Sequence, residues 1–212
     1  MRAVMLQVPR HLLEERRRLG HDRRDEVWDG VLHMALPPHA ARQRLNDKLG
    51  FFFQLHWQRL DEGRTFPATG VKRPGVPPHP ELGPDVPSDY RTPDRSFLLP
   101  ERYERVQGGW IVGGPDVVLE VLSPGDEARA KLPFYFELDV REVLLIDRDT
   151  RAVQVLRRGP AAFEVAPPDG EGWHTSEVLG TGLRREEGPA GPRLHLRRLG
   201  ADPARELVIE PV

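Results

Sequence analysis

The chain of 212 residues has the length of one ordinary domain. With 38% hydrophobic and 30% charged residues, its composition predicts a folded globular protein and excludes a largely disordered chain. A formal net charge of −2 at pH 7 excludes binding of nucleic acid through an overall positive field, so any DNA contact must be local. The absence of cysteine excludes disulfides and thiolate–zinc sites.

No apolar run approaches the length that a membrane span needs, and the apolar start is too short for a secretory signal. We therefore expect a cytoplasmic protein without membrane contact. We also expect one domain over residues 1–212.

The first predicted element is a short charged helix over residues 10–20, followed by two strands around Asp29-Gly30, a strong hairpin signal. The chain then turns at Pro37-Pro38. Apolar residues at spacings of three and four predict a long helix over residues 40–59 that packs across a sheet. These residues are Leu45, Leu49, Phe52, Phe53, His56 and Leu60.

Eight prolines between residues 74 and 100 exclude regular helix or central strand throughout, and predict extended edge segments and loops. A strand follows at residues 117–122, and then a helix with Pro133 in its first turn or at a kink. Residues 142–146 and 152–156 are predicted to form a hairpin. The pattern predicts an α/β or α+β fold: a central mixed sheet flanked by helices, with an N-terminal hairpin and C-terminal strands.

Two carboxylates share one face of the strand at residues 117–122. Residues two apart in a strand point the same way, so Asp116 and Glu120 lie on one side of an otherwise apolar segment. A carboxylate among buried positions needs a partner, and a divalent metal ion or an arginine would each serve. Spacing alone leaves these alternatives open.

Several segments occur in an order that is typical of one family. They are Glu26-Val-Trp-Asp-Gly30, residues 34–39 before the long helix, Gly83-Pro84-Asp85-Val86, Pro115 to Pro124, Lys131 with Tyr135, and Val140 to Asp147. Together they resemble the putative restriction endonuclease family that is abundant in cyanobacteria and is placed in the PD-(D/E)XK nuclease superfamily. The resemblance is strongest over residues 24–158. It implies a restriction-endonuclease-like fold and a Mg²⁺-dependent (or Mn²⁺-dependent) endonuclease that hydrolyses DNA with a metal-activated water.

The resemblance also implies a ligand set. Asp85 would be the first acidic metal ligand, on the strand before the central one, and Glu120 the second. The backbone carbonyl of Val121 would complete the set. Because Pro87 interrupts the strand after Asp85, Asp89 is the alternative first ligand.

The superfamily's lysine normally stands two residues after the second acid, where this chain has Leu122. The resemblance implies that this role passes to Lys131, whose ammonium would position the attacking water and the scissile phosphate. Tyr135, one helical turn further, would share its face and either pack or contact substrate.

Three further residues are candidates for supporting roles. Glu26 and His39 match positions that recur in the family, although a histidine before a helix is also typical of a cap or a surface residue. Asp116 would either support the metal through another ligand or only orient the start of the strand.

The alternative function is a nuclease-like fold that binds nucleic acid or protein without cutting. A third reading, a small-molecule enzyme on an unrelated α+β fold, would place Asp85, Glu120 and Lys131 far apart. Many nucleases of the superfamily are dimers, so a homodimer is also an expectation.

Overall fold

The computed structural model describes residues 3–5, 9–35, 39–58, 61–200 and 205–211. Its α-helices are α1 (Arg10–Leu19), α2 (Ala40–His56) and α3 (Leu132–Glu137). Its strands are β1 (Ala3–Met5), β2 (Glu26–Trp28), β3 (Val31–Met34), β4 (Arg64–Pro67), β5 (Val71–Lys72), β6 (Pro78–His79), β7 (Gly83–Pro87), β8 (Tyr90–Arg91), β9 (Arg95–Leu98), β10 (Val106–Gln107), β11 (Trp110–Val112), β12 (Val117–Leu122), β13 (Glu142–Asp147), β14 (Val153–Arg158), β15 (Phe163–Ala166), β16 (His174–Ser176), β17 (Thr181–Gly188), β18 (Gly191–Arg198) and β19 (Glu206–Ile209).

The predicted hairpin at Asp29-Gly30 is confirmed. The two residues join β2 to β3 with φ angles of 49° and 83°. Positive φ at both central positions matches the right-handed twist of the flanking strands, and an Asp-Gly pair adopts it readily. The turn at Pro37-Pro38 and the predicted apolar Leu60 lie outside the described residues.

A six-stranded mixed sheet forms the centre, in the order β15-β14-β13-β12-β9-β4. β12 and β13 run parallel, whereas the other neighbours are antiparallel. Val117, Leu119 and Val121 pack with the apolar face of α2, and Val118 packs with α3 on the opposite side. The predicted central strand is therefore buried on both faces, and Glu120 points to the side of α3.

The proline-rich region contains an interior strand, where edge segments and loops were predicted. β9 lies between β12 and β4, and all four of its residues are buried. Pro93 and Pro100 flank this strand, and no proline lies inside it, so its backbone donors are free to pair with both neighbours. The prediction was wrong at this strand.

Three further sheets accompany the central one in the described part of the chain. A seven-stranded sheet with the order β1-β3-β2-β8-β5-β11-β10 carries the N-terminal hairpin, and β6 pairs with β7. The C-terminal strands form a sheet in the order β16-β17-β18-β19, whose buried leucines Leu183 and Leu196 join the core on the α2 side. No helix in the described part of the chain is long and apolar enough to cross a membrane.

Candidate metal centre

Two acidic residues meet beside the second half of β12. β9 pairs with β12 only from Val117 to Leu119, so the chain just before β9 runs alongside the rest of that strand. Asp94 lies there, 5% exposed, and its Oδ2 accepts a hydrogen bond of 2.8 Å from the backbone N–H of Val121. This bond places the carboxylate of Asp94 next to the residue that follows Glu120.

The two oxygens of Glu120 have different surroundings. Oε1 accepts hydrogen bonds from Nζ of Lys131 and from the hydroxyl of Tyr135, both at 2.8 Å. Oε2 is buried and has no hydrogen-bond partner among the described residues. A buried carboxylate oxygen without a partner is costly, and a cation would satisfy it.

Burial and neighbouring charged groups change the pKa of Glu120. Burial raises the pKa of Glu120 to about 6, the Lys131 ammonium opposes this rise, and the nearby charges of Asp94 and Glu26 add to it. Burial also raises the pKa of Tyr135 well above its ordinary value, so the phenol keeps its proton and donates to Glu120. Tyr135 therefore packs in the core and orients the carboxylate of Glu120.

Lys131 lies between two carboxylates. Its Nζ is 2.8 Å from Oε1 of Glu120 and 2.9 Å from Oε1 of Glu26, and the side chain is only 2% exposed. Glu26, on β2, is itself fully buried. The hairpin, the central strand and the turn before α3 thus contribute to one buried cluster, and the ammonium is directed at protein carboxylates.

Asp85 is not at this position, which corrects the predicted ligand set. It lies exposed on β7, which pairs with β6 in a separate two-stranded sheet, and the antiparallel neighbour of β12 in the central sheet is instead β9. Asp89 is buried, but its carboxylate forms ion pairs with Arg91 and Arg73. The acid beside Glu120 is Asp94, which the sequence analysis did not select.

Asp116 lies at the other end of β12. Its Oδ2 accepts the N–H of Leu99 at 2.8 Å, and its Oδ1 lies 3.2 Å from the guanidinium groups of both Arg102 and Arg141. Of the two alternatives for Asp116, the structure supports the one in which it orients the start of the strand. Exposed His39 is the N-cap of α2, where its Nδ1 accepts the N–H of Ala41 at 3.2 Å.

Two arginines border the acidic pair. Arg42, on α2, lies 2.7 Å from Oδ2 of Asp94 and 3.3 Å from Asp126, with 23% of its side chain exposed. Arg24 lies 3.9 Å from Oδ1 of Asp94 and is 32% exposed. Both guanidinium groups can therefore reach an anion that approaches Asp94 from solvent.

The donor set fits a hard divalent ion. Asp94 and Glu120 offer carboxylate oxygens, and the carbonyl of Val121 leaves the strand on the same edge as its N–H, which faces Asp94. The described residues contain no group of three or more acidic or histidine side chains arranged to hold a metal. Mg²⁺ commonly uses one or two carboxylates and keeps several waters, whereas a closed zinc site needs more protein ligands.

Comparison with known proteins agrees with this architecture. The mixed sheet with its flanking helices is a nuclease-like α+β fold. It resembles the crystal structure of a protein from Anabaena variabilis ATCC 29413 that is described as a putative nuclease belonging to DUF820. The two chains share 18% sequence identity, and the TM-score is 0.57. The match covers 79% of this chain and 90% of that one. The sequence profile of the Uma2 family, described as putative restriction endonuclease, matches residues 11–187. The chain belongs to this family. No curated protein matches it.

Proposed function

We propose that the protein is a Mg²⁺-dependent endonuclease that hydrolyses DNA phosphodiester bonds, with a centre of the PD-(D/E)XK kind. The observation that carries this proposal is the buried Oε2 of Glu120, which has no hydrogen-bond partner in the part of the chain that the structure describes, near the carboxylate of Asp94. The family and the structural neighbour, both described as nucleases, support the same reaction class.

Each residue has a separate task in this scheme. Asp94, Glu120 and the carbonyl of Val121 would hold the ion, either Mg²⁺ or Mn²⁺. When bound, such an ion lowers the pKa of a coordinated water and stabilises charge on the phosphate. Lys131 and Tyr135 fix Oε1 of Glu120, so that Oε2 is the oxygen left for the metal. Arg42 would bind a phosphate oxygen next to the ion.

DNA is the proposed substrate because two positively charged side chains lie next to the metal centre, where they could contact phosphate groups. The chain as a whole carries a net charge of −2, yet Arg24 and Arg42 flank Asp94 with partly exposed guanidinium groups. This arrangement suits a contact with one or two phosphates rather than a long basic track.

Incubation of the purified protein with supercoiled plasmid and Mg²⁺ or Mn²⁺ tests the proposal. We expect nicking that EDTA and Glu120→Gln both abolish, whereas Asp85→Asn, a matched change of an exposed carboxylate, retains it. If wild type and Glu120→Gln leave the same trace activity on plasmid, linear duplex and single-stranded DNA, the enzymatic proposal fails.

One observation favours the second candidate, a module that binds nucleic acid or protein without cutting. The ammonium of Lys131 is 2% exposed and paired with two carboxylates, so it is not directed at solvent, where a substrate would lie. The assay separates the two functions: a binding module would retard DNA in gels at every metal concentration and leave it intact.

A further inference from the structure

Glu26 belongs to a different sheet from Glu120, yet both touch the same ammonium. Oε1 of Glu26 accepts the backbone N–H of Thr92 at 2.9 Å and lies 2.9 Å from Nζ of Lys131, while Oε2 accepts the indole N–H of Trp28 at 2.7 Å. The side chain is fully buried. Both oxygens of Glu26 are thus fixed, and its negative charge is held against Lys131.

The balance of charge among Glu26, Glu120 and Lys131 affects how strongly Glu120 can bind a metal ion. Lys131 alone would neutralise Glu120, because the two groups form a buried pair at 2.8 Å. A neutralised carboxylate attracts a cation weakly, and the ammonium would compete with the metal for it. With Glu26 present, two carboxylates share this ammonium, so Lys131 compensates the charge of Glu120 only in part; Arg91, which also carries positive charge near Glu26, lies 2.7 Å from Asp89.

We infer that Glu26 is a positioning residue that acts through Lys131: as the counter-ion of this lysine, it offsets the positive charge of the ammonium beside the metal centre and holds the ammonium on Oε1 of Glu120, away from Oε2. The inference rests on the proposed metal centre and assigns the N-terminal hairpin a task in it. Partners of metal ligands typically change metal affinity by about 10- to 100-fold when they are removed.

Calorimetric titration with Mn²⁺ alone measures this effect without any catalysis. We expect Glu26→Gln to bind Mn²⁺ about 10- to 100-fold more weakly than the wild type, because Lys131 then neutralises Glu120. The matched control is Glu81→Gln, a change of an exposed glutamate, which should bind as the wild type does.

The double variant Glu26→Gln/Lys131→Met tests whether Glu26 acts through the lysine. Removing the ammonium as well should restore most of the lost affinity at pH 8, since the positive charge that repels the ion is gone and Tyr135 still fixes Oε1. Wild-type affinity in Glu26→Gln would overturn the inference. So would a double variant that binds no better than Glu26→Gln.

A second measurement separates this inference from the proposed function. The chain has three lysines, Lys48, Lys72 and Lys131, so selective ¹⁵N labelling of lysine gives at most three ammonium signals. Glu26→Gln should move or broaden the Lys131 signal and leave the other two in place. Trp28→Phe removes the indole donor to Glu26 and should shift the Lys131 signal in the same direction by a smaller amount. This variant replaces Glu26→Gln in the experiment if Glu26→Gln does not fold.

If the wild type binds no Mn²⁺, the proposed function fails. A shifted Lys131 signal would then still support the role of Glu26 in positioning the ammonium of Lys131. An unchanged Lys131 signal in Glu26→Gln overturns the positioning role whatever the metal result.

Discussion

Replacing Lys131 by methionine keeps a side chain of similar length and removes the ammonium between Glu26 and Glu120. Both carboxylates are at most 1% exposed, so they cannot recover their hydration. Removing one partner of a buried ion pair costs about 3–5 kcal/mol, because the remaining charge stays uncompensated. With an m value of about 2 kcal/mol per M of urea, we expect the unfolding midpoint at pH 8 to fall by about 2 M.

The loss should depend on pH. Burial already raises the pKa of Glu120 to about 6, and Lys131 is the main group that opposes this rise, so the variant's Glu120 has a still higher pKa. A carboxyl with a raised folded-state pKa favours folding below its unfolded pKa and loses this contribution as pH rises through the folded pKa. The variant should therefore be nearer to wild type at pH 5 than at pH 8.

Urea unfolding followed by tryptophan fluorescence at pH 5 and pH 8 measures both effects. Lys48→Met is the matched control, since Lys48 is exposed on α2 and its loss should change stability by less than about 0.5 kcal/mol. The reasoning is refuted if Lys131→Met unfolds at the midpoint of Lys48→Met at pH 8, or if its loss is equal at both pH values.

Three further outcomes are expected. Asp94→Asn should abolish Mn²⁺ binding in calorimetry while Asp85→Asn keeps it, and the reverse pattern would return the first ligand to Asp85. Because Glu120 must lose a proton with a pKa of about 6, Mn²⁺ affinity should fall about tenfold from pH 7 to pH 5, and a flat profile would contradict this. Asp116→Ala should cost about 3 kcal/mol in thermal unfolding, because Arg102 loses its buried carboxylate partner and keeps Asp139, whose side chain is 59% exposed, with unchanged Mn²⁺ affinity; lost affinity at intact stability would contradict this.

The sequence predicts the elements whose patterns are local. The apolar spacing of α2 and the run of β12 depend on neighbours a few residues apart, and both elements occur where expected. The two-residue period also places Glu120 on one face of its strand correctly. The choice of Glu120 as a candidate metal ligand thus rested on the local strand pattern and the family resemblance together.

The first acidic metal ligand could not be identified from the local sequence pattern in the same way. The chain has a Pro-Asp pair at Asp85 and another at Asp94, and the strand pairing in the structure distinguishes them. Asp94 directly precedes the buried strand β9, which neighbours β12, whereas Asp85 lies on β7 in a small separate sheet. The sequence did contain a useful signal, since the apolar run Phe97-Leu98-Leu99 begins three residues after Asp94, while Pro87 follows Asp85 two residues later.

Apart from its β2–β3 hairpin, the seven-stranded sheet was not predicted from the sequence. Its strands are two to four residues long, too short to show a two-residue period. The partner of Glu26 was equally hidden, because a sequence does not show which distant cation a buried carboxylate will meet. The resemblance marked Glu26 as a candidate, and the docking of the hairpin sheet onto the central sheet reveals its partner as Lys131.

The contact between Glu26 and Lys131 joins parts of the chain that are about a hundred residues apart, so it requires a long loop to close and is absent from a chain in which only local structure has formed. A nascent or partly folded chain that already has β12 would contain Glu120 but lack the hairpin's charge beside the lysine. On the proposed role of Glu26, metal would then bind weakly until the two sheets have docked. If the proposed function holds, the protein would cut DNA only in its final tertiary structure, and incompletely folded copies would leave nearby DNA intact.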